Sequence, residues 1–292
     1  MAKLSKRLPE NVPGDFYVDE SCIDCDACRQ IAPTIFRDHG EQSSVYRQPQ
    51  SEAEVHGALK AIVACPTSSI GTTRDYDARL GVEAFPERVD ANVYFCGFTA
   101  ESSFGAWSYL VVRPDAEGGN VLVDSPRFTR PLVRKVEALG GVRTIFLTHR
   151  DDVGDQEKFA RHFGAARVMH KDDNAGRYGV ERVVEGEAAV RLDRDLLVIP
   201  TPGHTRGHAV LLYRDKYLFT GDHLAWSPTR NALTAFRTAC WYSWPVQTRS
   251  MQRLLDYRFE WVLPGHGRIH HAPAEEMRAE LGRCVEWMSS FG

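Results

Sequence analysis

The chain lacks a marked excess of either charge, and it lacks any long apolar run. Its 292 residues include 36 Lys plus Arg and 39 Asp plus Glu, which gives a net charge of −3 at pH 7. Without a basic field we expect no nucleic-acid partner. No apolar stretch approaches the roughly 20 residues that span a bilayer, so we also expect no membrane association.

An export signal is absent from the start of the chain. Residues 1–10 carry positive charge, but no apolar stretch follows them. Of the seven cysteines, Cys96, Cys240 and Cys284 belong to no recognisable motif. Spare thiols in a chain without an export signal are typical of a reducing compartment, so we expect a cytoplasmic protein.

What the chain does have is a cysteine pattern near its start. Cys22, Cys25 and Cys28 follow one another at three-residue intervals, and Cys65 is followed by Pro66. Three thiolates on one loop can hold three corners of a cubane cluster, and a fourth from elsewhere completes the ligand set. A zinc ribbon would need two separated Cys-x2-Cys pairs. The pattern therefore predicts a 4Fe–4S cluster, with a zinc knuckle as the alternative.

The segment around these cysteines resembles a small bacterial-type ferredoxin with a single 4Fe–4S cluster. The resemblance covers residues 12–75 and includes all four ligand positions. It implies an α+β ferredoxin-like module over residues 1–85, ending in a charged linker at residues 72–88. The module would transfer electrons, or its cluster would only stabilise a domain too small for a large core.

The rest of the chain alternates predicted strands and helices, and polar residues follow the strand ends. Loop side chains converge over strand ends in α/β sheets, so we expect these residues to lie together. The motifs are Thr-His at 148–149, Pro-Gly-His-Thr at 202–205, Gly-Asp at 221–222 and Pro-Gly-His-Gly at 264–267.

This ordered set resembles the metallo-β-lactamase superfamily over residues 89–292. The resemblance implies that residues 86–292 form an αββα sandwich with a metal centre between loops at the sheet edges. By position, His149 and His204 would bind one metal ion. Asp222 would be the bridging carboxylate, and His266 would bind a second ion.

The chain departs from the usual first motif of that superfamily, His-x-His-x-Asp-His. The matching positions are His149, Asp151, Val153 and Gly154. Aspartate thus replaces the second histidine, and the Asp-His pair of the second metal is missing. Asp152 and Asp155 lie close enough in sequence to substitute for the missing ligands. The flavodiiron proteins of the superfamily also have a carboxylate, a glutamate, at the position of Asp151.

Replacing imidazole with carboxylate changes which metal is favoured. Sites rich in histidine and thiolate suit zinc, whereas two histidines with carboxylates suit redox-active non-heme iron. We therefore predict one or two non-heme iron ions. The predicted ligands are His149, Asp151, Asp152, His204, Asp222 and His266. Asp151 and Asp222 are also predicted to be catalytic.

Together the cluster and the altered motif predict an oxidoreductase that reduces a small molecule. Dioxygen, nitric oxide and an organic nitro or N-oxide group all suit such a site. No G-x-G-x-x-G sequence opens a helix after a strand, so we expect electrons from an external reductase or carrier protein rather than from a bound nicotinamide. A hydrolase of thioesters, esters or amides is the main alternative, and a non-catalytic redox sensor is a third.

Other residues are assigned supporting roles. His208 and His223 flank candidate ligands and are predicted to orient them. In the superfamily an aspartate at the position of Asp124 is bonded behind the ligands. The aromatic segment 241–244 is predicted to wall a pocket or to contact the ferredoxin-like module. If one chain leaves the two centres too far apart, we expect a head-to-tail homodimer.

Overall fold

The computed structural model describes residues 2–174 and 176–291. An N-terminal module built around the cysteines is followed by a larger body of two β-sheets, and each has its own hydrophobic core. None of the helices in the described ranges is long and apolar enough to cross a membrane.

Short elements make up the N-terminal module. They are β1 (Phe16–Val18), α1 (Ala27–Ile31), β2 (Phe36–Asp38), β3 (Ser43–Val45), α2 (Glu52–Ala64), β4 (Ile70–Thr72) and α3 (Arg79–Glu83). β1 pairs with β4 and β2 with β3, both antiparallel. Helix α2 begins after Ser51, whose hydroxyl accepts a hydrogen bond from the Glu54 N–H as an N-cap. Its buried face, with Leu59, covers the module's small core.

Part of the predicted linker is ordered. The sequence predicts a linker over residues 72–88, but α3 lies inside it and packs on α2. The two helices approach so closely that a Cβ on Gly81 would lie 2.5 Å from the carbonyl oxygen of Leu59. Five residues are too few to show helical periodicity, which is why the pattern is invisible in the sequence. The predicted domain boundary at residues 85 and 86 falls just after α3.

A seven-stranded sheet forms the first layer of the body. Its region of the chain contains β5 (Glu87–Asp90), β6 (Val93–Phe95), β7 (Tyr109–Val111), β8 (Val121–Val123), α4 (Arg130–Ala138), β9 (Thr144–Phe146), α5 (Gln156–Phe163), β10 (Ala166–His170), α6 (Lys171–Asn174) and β11 (Arg182–Val184). The strands lie in reverse chain order from β11 to β5. β5 to β8 are antiparallel and β8 to β11 parallel, and helices provide the crossovers that parallel strands require.

The second sheet has six strands. The remaining elements are β12 (Val190–Arg191), β13 (Leu196–Pro200), β14 (Ala209–Tyr213), β15 (Tyr217–Gly221), β16 (Ala225–Ser227), β17 (Ala232–Thr234), α7 (Trp244–Arg253), β18 (Trp261–Pro264), β19 (His270–His271) and α8 (Ala274–Ser289). The sheet runs β12-β13-β14-β15-β18-β19, while β16 and β17 form a separate hairpin. Five 3-10 turns complete the described structure, at Leu4–Lys6, Glu101–Ser103, Asp115–Glu117, Arg237–Ala239 and Leu254–Asp256.

Alternate residues of the second sheet face opposite layers. Leu211 and Tyr213 of β14 lie in the core shared with the first sheet, whereas Val210 and Leu212 lie in the core beneath α7 and α8. Side chains that point to opposite faces of a strand account for this alternation, and burial on both faces accounts for the continuous apolar sequence. Helices α4 and α5 pack on the first sheet. The predicted αββα sandwich is confirmed.

Specific hydrogen bonds join the N-terminal module to the body. The Thr99 hydroxyl donates to the carbonyl of Ala64 at 2.6 Å, next to Cys65. Arg127 donates to the carbonyls of Val63 at 2.9 Å and of Cys65 itself at 3.2 Å. Thr99 and Arg127 of the body therefore hold the chain around Cys65 against the body.

Candidate metal centre and the adjoining cysteine loops

The four predicted cluster cysteines come together in the N-terminal module. Cys22 and Cys25 lie on the loop that enters α1, Cys28 lies in the first turn of that helix, and Cys65 is the C-cap of α2. All four line one small cavity. The backbone N–H of Ser43 points at Cys22 Sγ at 3.4 Å, and the backbone N–H of Ser69 points at Cys65 Sγ at 3.3 Å. Such hydrogen bonds stabilise thiolates in iron–sulfur sites.

The protonation of these thiols supports the same assignment. Burial raises the pKa of the Cys25 thiol to about 12, and it also raises the pKa of Cys28. Without a metal the Cys25 and Cys28 thiols are therefore neutral, and only a strongly positive group can hold these two as thiolates. Four convergent thiols in one small cavity are the donor set that a 4Fe–4S cluster takes.

Four strand-end loops supply the candidate metal ligands. His149 follows β9, His204 follows β13, Asp222 follows β15 and His266 follows β18. The body thus places the motifs where the sequence predicts, beyond the strand ends at one edge of the sandwich.

The first group of ligands surrounds a single position. The Nε2 atoms of His149 and His204 lie 3.8 and 3.7 Å from Asp222 Oδ2. Asp151 Oδ2 lies 3.9 and 3.7 Å from the same two nitrogens. Ligands held about 2.1 Å from a tetrahedral ion are about 3.4 Å apart, so these separations suit one ion with only small adjustments.

The buried histidine nitrogens of this group lack hydrogen-bond partners. Within the described residues, His149 Nε2 and both ring nitrogens of His204 are buried and unbonded. A buried polar atom without a partner costs free energy, and such atoms in a native protein call for an explanation. A metal ion coordinated by the Nε2 atoms would provide one, so the residues present fit a metal.

A second group shares Asp222 with the first. Asp152, Asp222 and His266 each offer one ligand atom, and these atoms lie within 4.8 Å of one another. Asp152 is 1% exposed, and its Oδ2 has no hydrogen-bond partner among the described residues. His266 Nδ1 lies 2.8 Å from Asp222 Oδ1, while its Nε2 faces the carbonyl of Phe104 at 3.3 Å. Asp222 therefore lies where a carboxylate bridging two ions would lie.

The two aspartates considered for the second site differ in position. Asp152 reaches the candidate site, but Asp155 does not. Asp155 accepts a hydrogen bond from the N–H of Phe128 at 2.8 Å and pairs with Lys158 at 2.8 Å.

The backbone explains why residue 154 carries no ligand. Gly154 has a φ of +45°, and a Cβ there would lie 2.0 Å from the carbonyl oxygen of Ser125. No histidine fits at this position.

Asp124 lies behind His149. The Thr148 hydroxyl donates to the Asp124 carboxylate at 3.0 Å, and the Thr148 N–H donates to the same group at 2.8 Å. The hydroxyl oxygen is then free to accept from His149 Nδ1–H, 3.0 Å away. That bond leaves the Nε2 lone pair directed at the metal position, as partners of metal-binding histidines usually do.

His208 and His223 contact the candidate ligands differently from the prediction. The His208 ring lies 5.1 Å from the His149 ring and 5.4 Å from the His223 ring. Among the described residues neither donates a hydrogen bond to a candidate ligand, and His208 Nδ1 instead faces the Thr201 hydroxyl at 2.9 Å. Burial lowers the pKa of His223 to about 3, so it is neutral and acts by packing.

The candidate ligands perturb one another's protonation. Burial opposes ionisation of Asp222, but His266, His149 and His204 outweigh it and hold the pKa of Asp222 below its ordinary range. Burial and then the charge of Asp222 raise the pKa of Asp152 well above its ordinary value. A dication beside Asp152 would reverse that effect, because it favours the ionised carboxylate.

The site opens into a cleft of about 1700 Å³ that both modules line. Phe104, Tyr178, Trp226, Phe236 and Trp241 provide aromatic walls from the body, and Asp24, Cys25 and Asp26 are among the residues from the N-terminal module. Trp241 is 62% exposed, with its ring 6.4 Å from the His204 ring.

The two modules meet at this cleft through residues that sequence reasoning missed. Arg268, two residues after His266, pairs with Asp26, the neighbour of Cys25. The contact between the modules thus comes from the His266 loop, together with Thr99 and Arg127. Trp241 of the predicted aromatic segment lines the cleft instead. No motif marks the contact residues, since a single arginine gives no sequence signal.

A comparison with protein families matches residues 18–72 to the family described as the 4Fe-4S single cluster domain of Ferredoxin I. The match includes all four cysteines of the cavity. The N-terminal module is therefore a ferredoxin-type 4Fe–4S domain, as predicted.

The chain is also similar in sequence to curated hydroxyacylglutathione hydrolases. It is 31% identical to the protein of Buchnera aphidicola subsp. Acyrthosiphon pisum (strain APS) over 121 residues, which cover 40% of this chain and 47% of that protein. It is 33% identical to the protein of Stenotrophomonas maltophilia (strain R551-3) over 128 residues, 43% of this chain and 49% of that protein. The chain spans about half the length of these relatives.

Solved structures resemble the larger part of the chain. The DIM-1 metallo-β-lactamase exposed to ceftazidime superposes with a TM-score of 0.53 at 19% identity, covering 70% of this chain and 96% of that one. The MIM-1 enzyme from Novosphingobium pentaromativorans gives 0.50 at 16% identity, covering 70% and 88%. The body of the chain therefore has the metallo-β-lactamase fold. At these identities the likeness establishes the fold alone.

Proposed function

We propose that this protein is an iron–sulfur-linked oxidoreductase that reduces a small acceptor at a non-heme iron centre. One observation carries the proposal: Cys25, a cluster-binding residue, lines the same cleft as His204, Asp222 and His266. A hydrolase requires no electron-transfer group beside its metal ligands, whereas a reductase does.

The proposed ligand set suits iron. His149, His204, Asp151 and Asp222 would hold one ion, and Asp222 would share a second with Asp152 and His266. Two histidines with carboxylates favour iron, which supplies a redox-active Lewis acid when bound. Asp151 faces the cleft with 44% of its side chain exposed. The nearby His204 imidazole, 3.7 Å away, holds the pKa of Asp151 below its ordinary range, so Asp151 remains an anionic ligand at neutral pH.

The cleft supports a range of acceptors. It is large enough for an organic molecule, and its aromatic walls suit a flat one such as a nitroaromatic compound or an aromatic N-oxide. Dioxygen and nitric oxide fit as well. The electrons would come from an external reductase or electron-carrier protein that reduces the cluster one electron at a time.

Metal analysis of anaerobically purified protein tests the proposal. The 4Fe–4S domain accounts for four irons per chain, and we expect at least one further iron that is lost in His204→Ala. Four irons accompanied by stoichiometric zinc would contradict the proposal, because a zinc ion does not change its charge.

A hydrolase is the second candidate, and one observation favours it. The curated relatives reported above are named hydroxyacylglutathione hydrolases. In a hydrolase the same ligands would hold an ion that activates water towards a thioester, ester or amide. The carboxylate of Asp151 and the cluster domain beside the site have no evident role in that chemistry.

Thioester hydrolysis by zinc-loaded protein separates the two candidates. The oxidoreductase proposal predicts little turnover of hydroxyacylglutathione by the zinc-loaded chain, with or without the cluster. Efficient hydrolysis that survives removal of the cluster and disappears in His204→Ala would establish the hydrolase instead.

A further inference from the structure

The residues between β6 and β7 connect the cluster loop to the metal site. Residues 100–107, here called the bridging loop, contain the 3-10 turn at Glu101–Ser103. A Cβ on Gly105 would lie 2.6 Å from Cys25 Cβ and 2.8 Å from Cys25 Sγ. The backbone of the bridging loop therefore touches a cluster cysteine, and only glycine allows this approach.

The peptide group between Phe104 and Gly105 contacts the candidate ligand His266. The Phe104 carbonyl accepts a hydrogen bond from His266 Nε2 at 3.3 Å. His266 Nδ1 is directed at Asp222, 2.8 Å away. A short path thus runs from Cys25 Sγ to the Gly105 backbone, through the Phe104 peptide, across one hydrogen bond to His266.

The backbone of Phe104 is held in an uncommon conformation. Its φ is +49°, a left-handed value that a bulky side chain rarely adopts. Residues in such conformations persist when surrounding structure fixes them, and they occur often at functional sites. The Phe104 ring is 54% exposed in the cleft, so burial of the ring does not account for the strain.

Neighbouring contacts fix the bridging loop. The Trp107 N–H donates to the carbonyl of Gly265, the residue before His266, at 2.8 Å. The Trp107 ring stacks on Phe95 at 3.8 Å, and the Ser103 hydroxyl accepts from the Gly154 N–H at 3.0 Å. The bridging loop is thereby attached to the loop that carries His266 and to the loop that carries His149 and Asp152.

We infer that the bridging loop is the electron route between the two centres, within one chain. The inference rests on the proposed function, since it requires a cluster and a redox-active iron. The Phe104–Gly105 peptide and the His266 imidazole would carry one electron at a time. A reduced cluster held by Cys25 would lose that electron and a ferric ion held by Asp222 and His266 would gain it, and no bond would form or break.

Flash reduction measures this transfer without relying on turnover. Iron-loaded protein with both centres oxidised is mixed anaerobically with a deazaflavin, and a light pulse reduces the cluster. The cluster's visible absorption bleaches and then recovers as the electron passes on. In wild type we expect recovery that is absent in Asp222→Ala, because that variant removes the carboxylate shared by both proposed metal sites. Absence of recovery in wild type would count against the proposed function itself.

Gly105→Ala tests the route. The added methyl, 2.6 Å from Cys25 Cβ, must move the loop away until an ordinary contact of about 3.5–4.0 Å is restored. Because the electron path becomes longer, we expect recovery to be slower than in wild type. Gly40→Ala is the matched control, because Gly40 has φ +82° against +81° at Gly105 but no atom within 4 Å of a Cβ. Iron content and the cluster spectrum are compared in both variants. Recovery at the wild-type rate in an intact Gly105→Ala protein would overturn the route and leave the proposed function standing.

Two further measurements keep the inference testable if Gly105→Ala fails to fold. Arg268→Ala removes the pairing with Asp26, a contact between the modules that lies outside the proposed route. We expect recovery near the wild-type rate in that variant, and loss of recovery with the cluster and iron intact would place the route through the Arg268–Asp26 pair and overturn the inference. Recovery in wild type should also be independent of protein concentration. A rate that rises with concentration would place the route between chains instead.

Discussion

The proposed preference for iron over zinc depends on Asp151. This residue lies between the Nε2 atoms of His149 and His204, at 3.9 and 3.7 Å, where the usual motif has an imidazole. The sequence predicts this position from the motif alone. Geometry adds what the motif leaves open, because Asp152 and Asp155 are equally plausible in sequence and only Asp152 reaches the site.

Replacing Asp151 with histidine is expected to shift the metal preference towards zinc. A third imidazole makes the ligand set softer, and such sets suit zinc better than iron. Protein from cells grown with both metals should show a higher zinc-to-iron ratio at the site of His149 and His204 in Asp151→His. Asp75→His, at an exposed position, should leave the ratio unchanged. An equal ratio in all three proteins would mean that Asp151 does not select the metal.

Gly154 is expected to tolerate no side chain. A Cβ there meets the Ser125 carbonyl oxygen at 2.0 Å. Gly154→Ala should therefore lower the free energy of unfolding by about 2–5 kcal/mol, because left-handed strain of about 1–2 kcal/mol adds to overpacking of about 1–3 kcal/mol. Gly164 has a similar φ of +66° but open space around it, so Gly164→Ala should cost only the left-handed strain, about 1–2 kcal/mol. Chemical denaturation measures both, and equal losses would show that the contact with Ser125 relaxes freely.

At the scale of secondary structure, elements with an apolar period or an apolar run are predictable from the sequence. The apolar spacing of residues 52–64 predicts helix α2, the apolar run at 209–213 predicts strand β14, and both form there. The hairpin of β16 and β17 carries no such pattern in its three-residue strands. Helix α8 is not among the sequence predictions, although its buried residues recur at helical spacing, from Met277 through Leu281 and Cys284 to Met288.

An ion pair between Arg167 and Glu181 lies at the β11 edge of the first sheet. Arg167 on β10 donates to both carboxylate oxygens of Glu181, which precedes β11, and also to the carbonyl of Tyr178 at the cleft. The hydrogen bond from Arg167 lowers the pKa of Glu181 to about 2. A lowered pKa means that the pair stabilises the fold above the ordinary glutamate pKa and loses this contribution as pH falls towards 2.

Glu181→Gln is therefore expected to destabilise the protein at neutral pH and less in acid. The Glu181 side chain is half exposed, so solvent screening limits the loss in free energy of unfolding to about 1 kcal/mol or less. Denaturation at neutral pH and in acid, at equal salt, gives the comparison. Glu185→Gln, which removes an exposed contact with Lys171, serves as the control. A difference between wild type and Glu181→Gln that grows with acidity would contradict the assigned pKa direction.

At the scale of the whole molecule, the fold of each module is predictable from the sequence, and the arrangement of the two modules is not. The cysteine spacing and the strand-end motifs identify a ferredoxin-type domain and a metallo-β-lactamase fold. The contacts that place them together depend on Thr99, Gly105, Arg127 and Arg268, none of which belongs to a motif. A homodimer was expected if one chain left the centres apart. Because Cys25 already adjoins the His266 loop in a single chain, the arrangement does not require a dimer, and the dimer remains a prediction.

We propose that electrons entering the cluster reach a redox-active metal ion in the same chain. Anaerobic titration of the oxidised protein with dithionite tests this most directly, because it counts the electrons that each chain accepts. We expect iron-loaded wild type to accept more electrons than Asp222→Ala, which lacks the carboxylate shared by both proposed metal sites and should accept only the electrons of its cluster. Equal uptake by both proteins, with the cluster intact in each and iron bound at the Asp222 site of wild type, would contradict the proposal.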